Sequence, residues 1–431
     1  MSGSLVANLG LGPQAWLFLS FLACVTLFFK FTRFWSARNL DLLLLFALAP
    51  GMMTLVGKGP SQPWIAFVWL FTGSALWLGR SLADLGMSRR PLLEPNLNAA
   101  GLGCLVVSLL GLLVTETVNL PVHEGVARNP AEPATGAKNG TEAPPLPSAP
   151  SELIGPVQKV LDNTKLPPAL RRKPPEVILS RVLACLAHLA LVAGLIVVGW
   201  KHFDRLIAGL AVATAYLLLP YTRIALVDSG QLVPAALIVA ALALYTRPAL
   251  AGGLIGLACG WMPAALGLVP LWAGFYRGRG TRRFLLVAVA VVVACGSLAW
   301  EFPLLARWAV ALGAPNLYQA GLWPGTEAPP NGSFWSGIDP GYRLPVLILY
   351  LVLVVVTTFW PAQKNLGELI ALSAALLVAS QFWYVVEGGT LVILYLPLVL
   401  LMMFRPTLVT KRPVVRATQA ARAAPSLHPV R

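Results

Sequence analysis

Runs of apolar residues recur along the chain, separated by short links that carry arginine or lysine. A helix needs about 20 such residues to cross about 30 Å of hydrocarbon. The runs predict spanning helices near 13–30, 40–57, 62–79, 98–118, 177–200, 204–221, 231–246, 283–300, 344–361, 366–386 and 390–404. Residues 248–276 are too long for one pass, and Gly260, Trp261, Met262 and Pro263 interrupt them in the middle. Proline removes a backbone donor there and glycine loosens the helix, so two short, broken passes fit. The pattern predicts an all-α fold, a polytopic transmembrane bundle of about 11–13 spans.

The links test that count, because lysine and arginine in short loops stay on the cytoplasmic side. Arg33 and Arg38, then Arg80, Arg89 and Arg90, then Lys201, Arg205 and Arg247 all fall inside on this count. The cluster Arg277, Arg279, Arg282 and Arg283 joins them if 248–276 enters and leaves by one face. The N-terminus is then outside. The tail, with Arg405, Lys411, Arg412, Arg416, Arg422, Arg431 and no acid, is cytoplasmic, beside anionic lipid. Arg171, Arg172 and Lys173 fall outside, in a loop at the length where the rule weakens.

Composition agrees with the pattern: 57% of the 431 residues are hydrophobic and 11% charged, more apolar side chain than one water-soluble core can hide. The formal charge of +15 is spread over links and tail rather than gathered on one face, which points to topology and not to nucleic acid. Cys24, Cys104, Cys185, Cys259 and Cys295 lie in apolar runs and read as packing residues. The uncharged start before the first run lacks the basic segment of a cleavable signal.

Two extracytoplasmic loops have room for chemistry. Loop 119–176 is rich in Pro, Ala and Glu over 129–150 and reads as disordered there, with a short surface helix expected at 151–163. Loop 301–343 carries Phe302, Trp308, Tyr318, Trp323, Phe334, Trp335 and Tyr342, aromatics suited to stacking on a sugar or to lying at the headgroup layer. Asp339 and Glu327 share it. The sequons at Asn139 and Asn331 face outward in this scheme.

Between 177 and 276 the order of features is distinctive: Arg181 near a helix start, then LLLPYTRIALVDSGQLVPAAL, then PALAGGLIGLACGWMPAALGLVPLW and the arginine cluster. With the later NGSFWSG (Asn331 to Gly337), this order resembles the GT-C superfamily of integral membrane glycosyltransferases, over roughly 177–345. Arg223 and Asp228 follow Pro220 as an Arg and an Asp follow a proline in one branch of it, and Gly230 and Gln231 match a GQ pair of another. The resemblance implies sugar transfer, mannose among the candidates, from a polyprenyl-phosphate donor outside the cytoplasm. It implies an N-terminal three-helix segment at 1–97, a module at 98–404 and a basic cytoplasmic tail at 405–431. Two departures stand out. Trp261 and Met262 occupy positions where relatives carry a Lys or similar polar residue, and Glu116 and Glu124 replace a recognisable acidic pair.

Such a transfer needs a carboxylate to accept a proton and cations to neutralise the departing phosphate. The candidates are Glu124 or Glu116 as base, Arg223 and Arg181 for lipid phosphate, and Asp228 to orient Arg223 or hold a divalent cation. Trp323, Trp335, Asp339 and Gln231 are the candidate sugar and acceptor contacts. The plain alternative for Arg223 and Asp228 is an ion pair at a helix end. His188 reads as a neutral imidazole bonded to a neighbouring helix, and Asp41 and Glu368 as helix caps. An inactive scaffold of the same fold and a transporter built on the broken helices at 248–276 are the competing functions.

Overall fold

The computed structural model describes residues 13–56, 63–87, 94–119, 175–301, 334–335, 338–385, 388–408 and 411–412. The surface helix expected at 151–163 lies outside them. The described chain is all helical: α1 (Pro13–Phe28), α2 (Ala37–Ala47), α3 (Ala49–Val56), α4 (Pro63–Ala83), α5 (Ala99–Asn119), α6 (Pro175–Lys201), α7 (Leu206–Leu218), α8 (Pro220–Ile224), α9 (Ser229–Ala243), α10 (Pro248–Trp261), α11 (Leu268–Phe275), α12 (Thr281–Glu301), α13 (Arg343–Phe359), α14 (Leu366–Ser380) and α15 (Val392–Phe404). Among the described residues five stretches are long and apolar enough to cross a membrane: Ala37–Leu55, Trp64–Gly86, Ala99–Asn119, Val177–Lys201 and Thr281–Leu298. Shorter apolar helices accompany them, and the whole is a multi-pass membrane bundle.

The helices sort by exposure. α7, α9, α14 and α15 are 13 to 15 residues long and buried through most of their length. Around them α1, α4, α5, α12 and α13 expose apolar flanks, such as Phe18, Val68, Val107, Leu286 and Leu349. In water such flanks would be costly, at about 25 cal/mol per Å². In lipid they are the expected surface.

Local sequence sets the breaks. Ser36 caps α2 by accepting from the Asn39 amide, and Asn365 and Glu368 form a reciprocal capping box on α14. Glu368 is thus a cap, as expected. Asp41 is not, because its carboxylate is taken by Arg80 at 2.6 and 2.7 Å. Pro50, in the first turn of α3, divides one predicted span into α2 and α3. Pro220 likewise ends α7 early, at Leu218, and starts the short α8, which carries Arg223.

One end of the bundle gathers the basic links. Arg38 donates to the Glu94 carbonyl at 2.7 Å, Arg205 meets the Glu94 carboxylate at 3.3 Å, and Lys411 meets Asp204 at 2.8 Å. Arg80 joins Asp41 to Asp84, and Arg405 closes on the other oxygen of Asp84. The chain returns to this same end after 248–276: the Tyr276 hydroxyl donates to the Tyr245 carbonyl at 2.5 Å. The predicted turn-back is what the backbone does, through α10, a 3-10 turn at Pro263–Gly267 and α11.

Candidate functional site

At the opposite end, Glu116 of α5 and Arg223 of α8 form an ion pair, and both are buried. Glu116 lies 17 residues along α5 from its basic-end start, about 25 Å at 1.5 Å per residue. The pair is therefore recessed rather than at the outermost surface. The recess follows from the short core helices: α7 stops at Leu218, and the chain turns over through α8 before α9 begins at Ser229.

Several contacts fix that turnover. Thr222 donates to the Tyr216 carbonyl at 2.5 Å, and the Tyr221 hydroxyl donates to the Leu45 carbonyl. His188, on α6, has Nε2 3.2 Å from the Leu226 carbonyl and Nδ1 2.8 Å from the Tyr216 hydroxyl. Since a carbonyl only accepts, Nε2 carries a proton, and in a neutral ring Nδ1 then accepts from the tyrosine. His188 is thus bonded through both ring nitrogens to its neighbours, as expected of a packing imidazole.

Asp228, expected to orient Arg223 or hold a cation, caps the next helix. Its carboxylate caps α9, accepting from the Gln231 amide at 3.3 Å and from the Gln231 side chain at 2.9 Å. Gln231 in turn donates to the Thr390 carbonyl at 3.3 Å and accepts from the Ile393 amide at 3.2 Å, tying α9 to the start of α15. Gln381 does the same on the far side, accepting from Leu391 at 3.0 Å and donating to Ser74 at 3.1 Å. The two glutamines stand in for backbone partners where core helices stop inside the bundle.

Arg181, buried on α6, donates to the Val118 carbonyl at 2.8 Å, two residues beyond Glu116. Trp335 is buried, and Phe334 beside it packs edge-on to Phe71 with centroids 4.7 Å apart. Asp339 is exposed and accepts from the Gly341 amide at 2.7 Å. Glu124 and Trp323 lie outside the described residues. Sequence reasoning missed Trp16, whose ring lies 4.5 Å from the guanidinium carbon of Arg223. Nothing local in α1 signals that contact, which joins residues two hundred positions apart.

Arg223 is left with donors to spare. Its Nε and Nη2 are buried and have no hydrogen-bond partner, nor do Oε1 of Glu116 and Nε1 of Trp16. Among the described residues no group of three or more His, Cys, Asp or Glu side chains is placed to hold a metal ion, so the divalent cation considered for Asp228 has no such cluster. Compared with family models, curated proteins and solved structures, the chain matches none.

Proposed function

We propose that this chain is an integral membrane glycosyltransferase-like enzyme that moves a sugar, mannose first among candidates, from a polyprenyl-phosphate donor to an acceptor hydroxyl on the extracytoplasmic face. The observation that carries the reading is the meeting of Glu116 and Arg223 in a recess away from the arginine-rich links. A proton-accepting acid and an anion-binding fork are the two groups this transfer needs.

In the reaction the acceptor oxygen attacks the anomeric carbon as the bond from that carbon to the phosphate oxygen breaks. The acceptor proton passes to the Glu116 carboxylate. The electron pair leaves with the phosphate, whose charge Arg223 and Arg181 neutralise. Asp228 orders the turnover that carries Arg223, through the cap on α9 and Gln231. Trp335, Trp323 and Asp339 belong to the loop that would meet the acceptor. The N-terminus lies outside and the basic tail is cytoplasmic, following the link charges.

A second reading, an inactive scaffold of the same fold, is favoured by one observation: Glu116 is already matched to Arg223 beneath Trp16. Purified protein in liposomes with a polyprenyl-phosphate sugar separates the two. The enzyme reading expects Arg223→Ala to lower transfer about 10²–10³-fold and Glu116→Gln about 10²–10⁴-fold. Each single change strands a buried charge, at about 3–5 kcal/mol, so folding is checked with Glu116→Gln/Arg223→Gln, which removes both. Full transfer by that folded double variant would sink the enzyme reading. No transfer by the wild type with any such donor would leave the scaffold.

A further inference from the structure

The flank of the bundle beside the pair carries a groove of about 260 Å³, lined by Gln14, Leu17, Phe18 and Phe21 of α1 and Phe46 of α2. Phe18 is 65% exposed, and Leu19 and Leu22 next to it are exposed as well, so this face looks into lipid. Apart from Gln14 the lining is apolar.

Both walls of the groove touch the segment that carries Arg223. On one wall Trp16, on the inward stripe of α1, covers the Arg223 guanidinium. On the other, Leu45, adjacent to Phe46, accepts from the Tyr221 hydroxyl two residues before Arg223. One helix thickness separates a lipid-facing apolar groove from a buried cation.

The polar atoms behind α1 are unmatched in one direction. Nε and Nη2 of Arg223, Nε1 of Trp16 and the hydroxyl of Ser20, one turn along the same inward stripe, are buried without hydrogen-bond partners. All four can donate. A buried unmet donor is costly, and an anion with several oxygens relieves several at once. Glu116 pairs with Nη1 of the guanidinium, which leaves Nε and Nη2 to bond phosphate oxygens.

We propose that α1 is a lateral gate: the phosphate of an anionic lipid enters from the bilayer between α1 and α2, displaces Trp16 from Arg223, and leaves its chain in the groove. The proposal rests on the recess used in the functional reading and adds the route and the residues that recognise the lipid. The chemistry recognised is a phosphate on a long apolar chain, whether isoprenoid or diacylglycerol.

The test uses the full chain in phosphatidylcholine nanodiscs with photoreactive benzoylphenylalanine in place of Phe18. The probes are a long-chain polyprenyl phosphate, the same polyprenol without phosphate, and phosphatidic acid. Cross-linking is expected to favour polyprenyl phosphate over polyprenol by about tenfold or more, from charge-assisted bonds to the phosphate. Glu116→Gln/Arg223→Gln, checked for folding, is expected to abolish that preference, and Trp16→Leu to raise the labelling rate. Equal labelling of polyprenol and polyprenyl phosphate, a preference that survives the double variant, or a rate indifferent to Trp16→Leu overturns the gate. Labelling by phosphatidic acid equal to that by polyprenyl phosphate supports the gate and assigns it to phospholipid. Phosphate-dependent labelling without sugar transfer keeps the gate and removes the enzyme. Transfer without labelling at position 18 does the reverse.

Discussion

Arg80 grips both oxygens of Asp41 at 2.6 and 2.7 Å and reaches Asp84 at 3.3 Å, while Arg405 takes the second oxygen of Asp84. In this cluster two acids face two arginines, and the charges hold α2, α4 and the end of α15 together. Arg223 has one acid and unmet donors, which is why the two buried clusters are read differently. Beside the first cluster His202, in the link between α6 and α7, bonds the Ala243 carbonyl at 2.9 Å and meets Tyr245 edge-on. Burial holds its pKa below the ordinary 6.5, and the nearby Lys201 and Lys411 act in the same direction. The unfolded chain therefore binds more protons in that window, so the stability His202 supplies is complete above pH 6.5 and declines as pH falls below it. Thermal unfolding in detergent between pH 7.5 and 5.5 is expected to show a decline that His202→Gln flattens; parallel curves for the two proteins would refute it.

Among elements, α10 and α12 show how a sequence motif can have a packing cause. A Cβ added at Gly252 would stand 2.5 Å from the Phe284 carbonyl oxygen, one at Gly256 2.8 Å from that of Ala288, and one at Gly260 2.7 Å from Cys295. These glycines, spaced by four, let two helices run side by side at backbone contact, the usual way for helices to pair in lipid. The stretch that suggested a family motif is at least a packing stripe. Gly256→Leu is expected to lower the melting temperature in detergent markedly and to reduce yield, while Gly253→Leu, whose added Cβ would stand 3.6 Å from Val287, is expected to be mild. Equal melting for both would show that the stripe does not hold the pair. The spans were readable because an apolar run in a membrane chain is nearly synonymous with a helix. The breaks at Pro50 and Pro220 were less so, since each proline lies in an apolar run that continues past it. The resemblance offers Glu116, at the end of the run 98–118, as a base in one site with Arg223, but not a direct ion pair between the two. Asp228 stands close to Arg223 in sequence, yet it spends its carboxylate on the local cap, and the acid that reaches the guanidinium comes from α5. No spacing along the chain encodes a contact between α1, α5 and α8.

For the molecule as a whole, exposed aromatics mark two levels. Trp35, Trp200 and Trp360 stand at the basic end, and Trp64 and Tyr342 at the other. If the link charges set the orientation, a membrane-impermeant maleimide added to intact cells labels Tyr342→Cys and spares Trp35→Cys. Labelling of position 35 alone would invert the bundle and place the Glu116 recess on the cytoplasmic side. α4, with 21 residues, spans about 31 Å between these levels. The buried α7 and α15, with 13 residues each, cover about 20 Å. A shell that matches an average bilayer thus surrounds a centre too short to fill it. The slack is taken up by irregular chain tied off with glutamines, so a thicker, sterol-stiffened membrane would stretch the rim while the hub stays fixed, and hydrophobic mismatch would act on the recess before it unfolded the protein.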